Sequence, residues 1–187
     1  MTKARDLSVG IPNGLVLIKP TGATNGTVNA SGTVTIGSAV TSVTVSGAFS
    51  ATYDNYKIVY SNGTASVVGY LQVQLRTGVA TSTTGYFMGF SGAAYSGGGY
   101  LGAGGGMGSS WEYASYGNGA DWATVNMELI NPFLPRKTVM TNFGAHPNQP
   151  MFGGGYHNVP TSYDQFVLTP AGGTLTGGTI SIYGYRK

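Results

Sequence analysis

The sequence predicts an all-β fold: a two-sheet antiparallel β-sandwich, jelly-roll-like, behind an extended N-terminal arm. Three observations predict it. Glycine makes up 32 of 187 residues and tyrosine 13, while a hydrophobic fraction of 41% still suffices to fill a core. Several segments alternate apolar and hydroxyl residues with the period of two that turns one strand face inward. No segment offers a capped, helix-periodic run of about ten residues. One domain with an arm fits the length, residues 1–20 forming the anchor and 21–187 the sandwich.

Residues 1–13 are polar and close on Pro12-Asn13-Gly14, a turn signal. Lys3, Arg5, Asp6 and Leu7 are the candidate anchor residues. Leu15 to Ile18 reads as a short strand, buried or paired with a partner. A Thr/Asn/Gly loop follows to Gly32, and its Asn-x-Ser/Thr triplets read as turns. Thr33 to Ile36 and Val43 to Val45 alternate as half-buried strands. Asp54 precedes a strand from Tyr56 to Tyr60, which Asn62-Gly63 closes as a tight hairpin. In the next strand Val67, Gly69, Leu71, Val73 and Leu75 share the face expected to be buried.

Thr81 to Gly119 departs from this regularity. Tyr86 to Phe90 reads as a strand, but the glycine triplets beyond it predict long loops with aromatics pinned into them. From Trp122 the alternation returns: Ala123, Val125, Met127 and Leu129 face one way, and Asn131-Pro132 ends the strand. Thr138 to Phe143 is another strand, and Ala145 to Val159 a second loop. The end reads as a strand after Tyr163-Asp164, a Gly/Pro turn region and a last strand through Thr179 to Tyr185. The count is eight or nine strands.

The chemistry is sparse. There are no cysteines, which excludes disulfides and thiolate metal sites. The formal charge of +3 forms no basic stripe, so nucleic acid is not an expected partner. Neither an apolar leader nor a membrane-length segment is seen. The glycine triplets lack the Lys-Ser/Thr and the helix that phosphate binding needs. His146 and His157 have no third ligand at metal spacing and read as loop residues. Asp54 and Asp164 share a Tyr-Asp context and read as strand openers whose carboxylates accept from nearby backbone amides. No nucleophile elbow is present. The expected protein is therefore not an enzyme and carries no cofactor. The aromatics Tyr95, Tyr100, Trp111, Tyr113 and Tyr116 are the candidate contact residues. Packing inside the fold or between subunits is the competing and favoured role for them.

Three stretches carry a family resemblance. They are Thr2-Lys3-Ala4-Arg5-Asp6-Leu7, then Gly14 to Ile18 with Phe49-Ser50-Ala51-Thr52-Tyr53-Asp54-Asn55-Tyr56, and finally Ser162-Tyr163-Asp164-Gln165-Phe166 with Gly177 to Gly184. In these the chain resembles small structural proteins of tailed bacteriophages, the tail-fibre-like and capsid-decoration group. The resemblance implies a non-enzymatic virion surface protein, usually a homotrimer, assembled in the host cytoplasm beside other capsid or tail proteins. Since the chain has no long repetitive shaft, a short knob docked by residues 1–20 is expected. The alternative is a host-receptor module that binds surface glycan through the Gly97 to Tyr116 segment.

Overall fold

The computed structural model describes residues 14–97 and 99–187. The candidate anchor Lys3, Arg5, Asp6 and Leu7 lies outside these. The first part of the chain gives β1 (Leu15–Ile18), β2 (Gly22–Thr24), β3 (Gly26–Val28), β4 (Val34–Ile36) and β5 (Val43–Ser46). Longer strands follow: β6 (Asn55–Ala65), β7 (Val68–Thr77), the short β8 (Ala80–Thr81), β9 (Tyr86–Ala93), β10 (Tyr100–Gly108), β11 (Trp111–Asn118) and β12 (Ala123–Ile130). The chain then forms β13 (Thr138–His146), β14 (Gln149–His157), β15 (Gln165–Pro170), β16 (Leu175–Thr176) and β17 (Thr179–Tyr185).

Every pairing is antiparallel, and the pairings fall into two layers. One runs β2-β5-β15-β7-β11. The other runs β1-β17-β6-β12-β13-β14-β9-β10, with β4 beside β1 on the free edge of β17. The hairpin of β11 and β12 crosses from one layer to the other.

The inward faces meet in one core. Val43, Val45, Leu71, Val73, Leu75, Phe166 and Leu168 come from the first layer; Tyr56, Ile58, Tyr60, Val125, Met127, Leu129, Ile180 and Ile182 come from the second. This is the predicted sandwich. The alternation on β7 and β12 puts the expected residues inside, although Val67 is exposed and precedes the strand.

Several expectations are corrected. Leu15 to Ile18 pairs with β17 of the same chain. Asn62-Gly63 makes no hairpin: it is a bulge inside β6, where Asn62 takes φ 58° and the register with β12 shifts. Gly97 to Tyr116 is largely strand β10 and strand β11, and Ala145 to Val159 is mostly the hairpin β13–β14. The described residues thus hold seventeen strands, because glycine-rich segments pair through their backbones where few side chains mark the period. Nor do the two aspartates cap their strands through side chains. Asp54 pairs with Lys187 at 2.9 Å, and the Asp164 backbone carbonyl accepts from Ala48 and Phe49.

The second layer is wider than the first and wraps past its edge at β11. Phe90 and Met151 thereby cover the outer side of β7 and β11, meeting Tyr70, Tyr113 and Tyr116 in a second small cluster.

Candidate functional site

The five candidate aromatics do not converge on one surface. Trp111 is fully buried, edge-on to Tyr86 at 5.2 Å, so it is a core residue and not a contact residue. Tyr116 is also buried, and with half-buried Tyr113 it surrounds Tyr70: the ring centroids lie 5.1 and 4.8 Å from that of Tyr70. His146 caps this group, 4.3 Å from Tyr116. The wrap of the second layer buries Tyr116 and half-buries Tyr70 and Tyr113, which is the packing role the sequence favoured for these aromatics over ligand contact. Tyr95 is 63% exposed, alone in the turn between β9 and β10. Tyr100 opens β10 opposite Ala93.

Another surface has the attributes of a site: the outer face of β13, β14, β9 and β10. Alternation places Val139, Thr141 and Phe143 outward on β13 and Phe152, Gly154 and Tyr156 outward on β14. On β9 the outward residues are Phe87, Gly89 and Ser91. Register aligns them into rows across the sheet. Phe143 faces Phe152, with ring centroids 5.0 Å apart, and each is 54% exposed. Two rows away Tyr156 faces Phe87, and their rings stack at 4.7 Å and 8°. Lys137 Nζ sits 5.6 Å from the Tyr156 centroid, a cation over the same wall.

Between these aromatic walls runs a lane without side chains. Gly154, Gly89 and Gly104 are successive cross-strand partners. Phe152 and Tyr156 are four residues apart, so the walls stand roughly 13 Å apart along the strand. Glycine is unfavourable inside strands and usually has a local cause. Its cause is evident at Gly92, where a Cβ would strike the Pro150 carbonyl, and at Gly155, where it would strike that of Phe87. The lane glycines have no such cause. A Cβ at Gly154, Gly89 or Gly104 would meet its nearest atom at 3.4, 3.5 and 3.4 Å, which is ordinary contact. A methyl group fits at all three without displacing the backbone.

The same row continues into polar side chains. Thr141 is the partner of Gly154, Glu128 of Thr141, Lys57 of Glu128 and Tyr183 of Lys57. Lys57, Asn126, Glu128, Thr141, Asn142 and Phe143 line a depression at this head of the lane. Tyr185 OH donates to Glu128 Oε1, and its pKa is raised to about 12, by burial first and by Glu128 second. Glu128 is thereby held in place as an acceptor, and Thr141 and Lys57 add donors. Sheet pairing uses up the peptide groups of the interior lane, so directional hydrogen bonds must come from this head.

Nothing in the sequence singled these residues out. The signal was present in Thr138 to Phe143, where alternation sends aromatic Phe143 to the side opposite buried Met140. The other wall residue, Tyr156, stood in a stretch read as loop. Among the described residues, no three His, Asp or Glu side chains gather where a metal ion would be held.

No protein-family model matches the chain. No curated protein matches it by sequence. Among solved structures, the C-terminal CBM6 of LamC, a marine laminarinase from Zobellia galactanivorans, is similar at a TM-score of 0.23 and 15% identity, over 83% of this chain and 99% of that one. A legume lectin-like domain from Entamoeba histolytica is similar at a TM-score of 0.31 and 10% identity, over 92% and 90%. A CBM4 structure is similar at 0.22 and 13%, over 89% and 96%. These scores are too low to bear on function.

Proposed function

We propose that this chain is a non-catalytic adhesion module of a bacteriophage virion, and that the outer face of β13, β14, β9 and β10 binds a host-surface saccharide. The observation that carries the second half is the glycine lane: three strand glycines that the fold does not require, in one row between two exposed aromatic walls. A pyranose ring has apolar faces and a polar rim. Aromatic walls suit the faces, a bare backbone floor admits a flat unit, and the head at Thr141, Glu128 and Lys57 suits the hydroxyls. The virion half rests on the resemblance of the two ends of the chain to phage structural proteins.

The test is a glycan array followed by calorimetric titration of any saccharide retained. Tyr156→Ala removes one stacked wall and is expected to weaken binding about tenfold, the effect of roughly 1.4 kcal/mol. Gly89→Leu fills the lane and is expected to abolish binding while leaving the unfolding midpoint near that of wild type. Retention of no surface saccharide by the wild type, or undiminished binding by Gly89→Leu, defeats the saccharide reading.

A further inference from the structure

The lane ends at a sheet edge, and the edge has the properties of an unfinished interface. Among the described residues β10 pairs with β9 alone. The bond from Ala94 N to Gly99 O fixes the phase of this antiparallel ladder. Residues opposite each other alternate between bonded and non-bonded pairs. Gly104 and Gly89 therefore form a non-bonded pair, and Gly104, like Gly102, turns its N–H and C=O away from β9. These groups face outward on a nine-residue strand that contains no charged residue and no proline. Edge strands are commonly blunted by charge, proline, shortness or a bulge. Here the one such device is the register shift between Gly105 and Gly108, beyond the Gly102–Gly104 stretch.

We propose that β10 pairs antiparallel with β10 of a second copy, about a two-fold axis at Gly104, so that the two glycine lanes join into one. Three features select a second copy as the occupant. The strand carries no charge, so identical copies meet without repulsion. With Gly104 on the axis, Gly104 faces its own copy and Ala103 faces the partner's Gly105, so only glycine and alanine meet there, short of the register shift. The lane then runs Gly154, Gly89, Gly104 and on into the partner's lane, giving a floor twice as long with a polar head at each end. A trimer, the assembly implied by the family resemblance, requires instead a contact between β10 and a different edge.

Sedimentation equilibrium of the whole chain, without any saccharide, tests this separately from the saccharide reading. Wild type is expected at twice the chain mass. Gly104→Pro removes one outward N–H and leaves the β9 ladder intact, and is expected to halve that mass. The second readout uses the absence of cysteine in the chain. Bonded antiparallel partners have Cα atoms about 5.5 Å apart, within disulfide reach. Gly104→Cys is therefore expected to form a covalent dimer on mild oxidation. Ser91→Cys, exposed one strand further in, is not. A wild-type monomer, a trimer that persists in Gly104→Pro, or a Gly104→Cys chain that fails to cross-link overturns the proposal.

Discussion

At the scale of single residues, His157 shows how a side chain read as part of a loop becomes a structural constraint. It is fully buried at the end of β14. Its Nε2 lies 2.9 Å from Ser82 Oγ and 3.0 Å from the Thr84 carbonyl, while Nδ1 is 3.5 Å from Tyr163 OH. A carbonyl only accepts, so the neutral ring carries its proton on Nε2. Burial lowers its pKa below the ordinary 6.5, against the weaker opposing effect of hydrogen bonds the ring donates to the Thr84 and Val159 backbone. The unfolded chain therefore takes up the proton first. The stability this imidazole contributes is full above about pH 6.5 and falls as the solution is acidified. Urea midpoints measured from about pH 7.5 down to about pH 5, before most carboxylates titrate, should fall for wild type. They should fall less for His157→Gln, which starts lower at neutral pH. Equal slopes for the two chains would show that His157 is not the sensor, and half-buried His146 would be tested next, since burial shifts it in the same direction.

At the scale of elements, the glycines divide into those the strands need and those they do not. Gly92→Ala puts a methyl on the Pro150 carbonyl, and the backbone must move. A cost of about 3 kcal/mol or more is expected. Gly89→Ala on the same strand meets only ordinary contacts and is expected to change stability by less than about 1 kcal/mol, with a gain favoured. Chemical denaturation of both variants checks the contrast. The same division explains what could be read in advance. β7 and β12 were legible because Leu71, Val73 and Leu75, or Val125, Met127 and Leu129, write the period of two in large side chains. β10 has mostly glycine between Leu101 and Gly108, and the centre of β14 is Gly153-Gly154-Gly155, so the alternation vanishes there and the text reads as loop. The site was hidden for the same reason, since its floor consists of residues that have no side chain to notice. Its walls needed the cross-strand register, which joins residues as distant as Phe87 and Tyr156.

At the scale of the whole molecule, the proposed site and the proposed anchor belong to different parts of the chain. The proposed saccharide face occupies β13, β14, β9 and β10, whereas the expected anchor is residues 1–20, which include β1. β1 itself lies at the opposite end of the second layer from β10. The two proposed roles, attachment to a particle and binding of a saccharide, thus fall on separate parts of the chain. Removal of residues 1–13 is expected to leave a folded protein that still binds its saccharide but is no longer incorporated into virions. Particle purification followed by immunodetection of the truncated chain is the measurement. Incorporation at the wild-type level would remove the anchoring role.

The position of β15 and β17 has a further consequence. β15 lies between β5 and β7, and β17 between β1 and β6, yet both are made after every strand they separate. As the polypeptide leaves the ribosome, neither layer has its middle until Gln165 and the residues after it emerge. The nascent chain must hold Tyr56, Ile58, Leu71 and Val73 unsatisfied for most of its synthesis, and the sandwich then closes late and in one step. A chain built in this way is exposed to premature self-association while it waits.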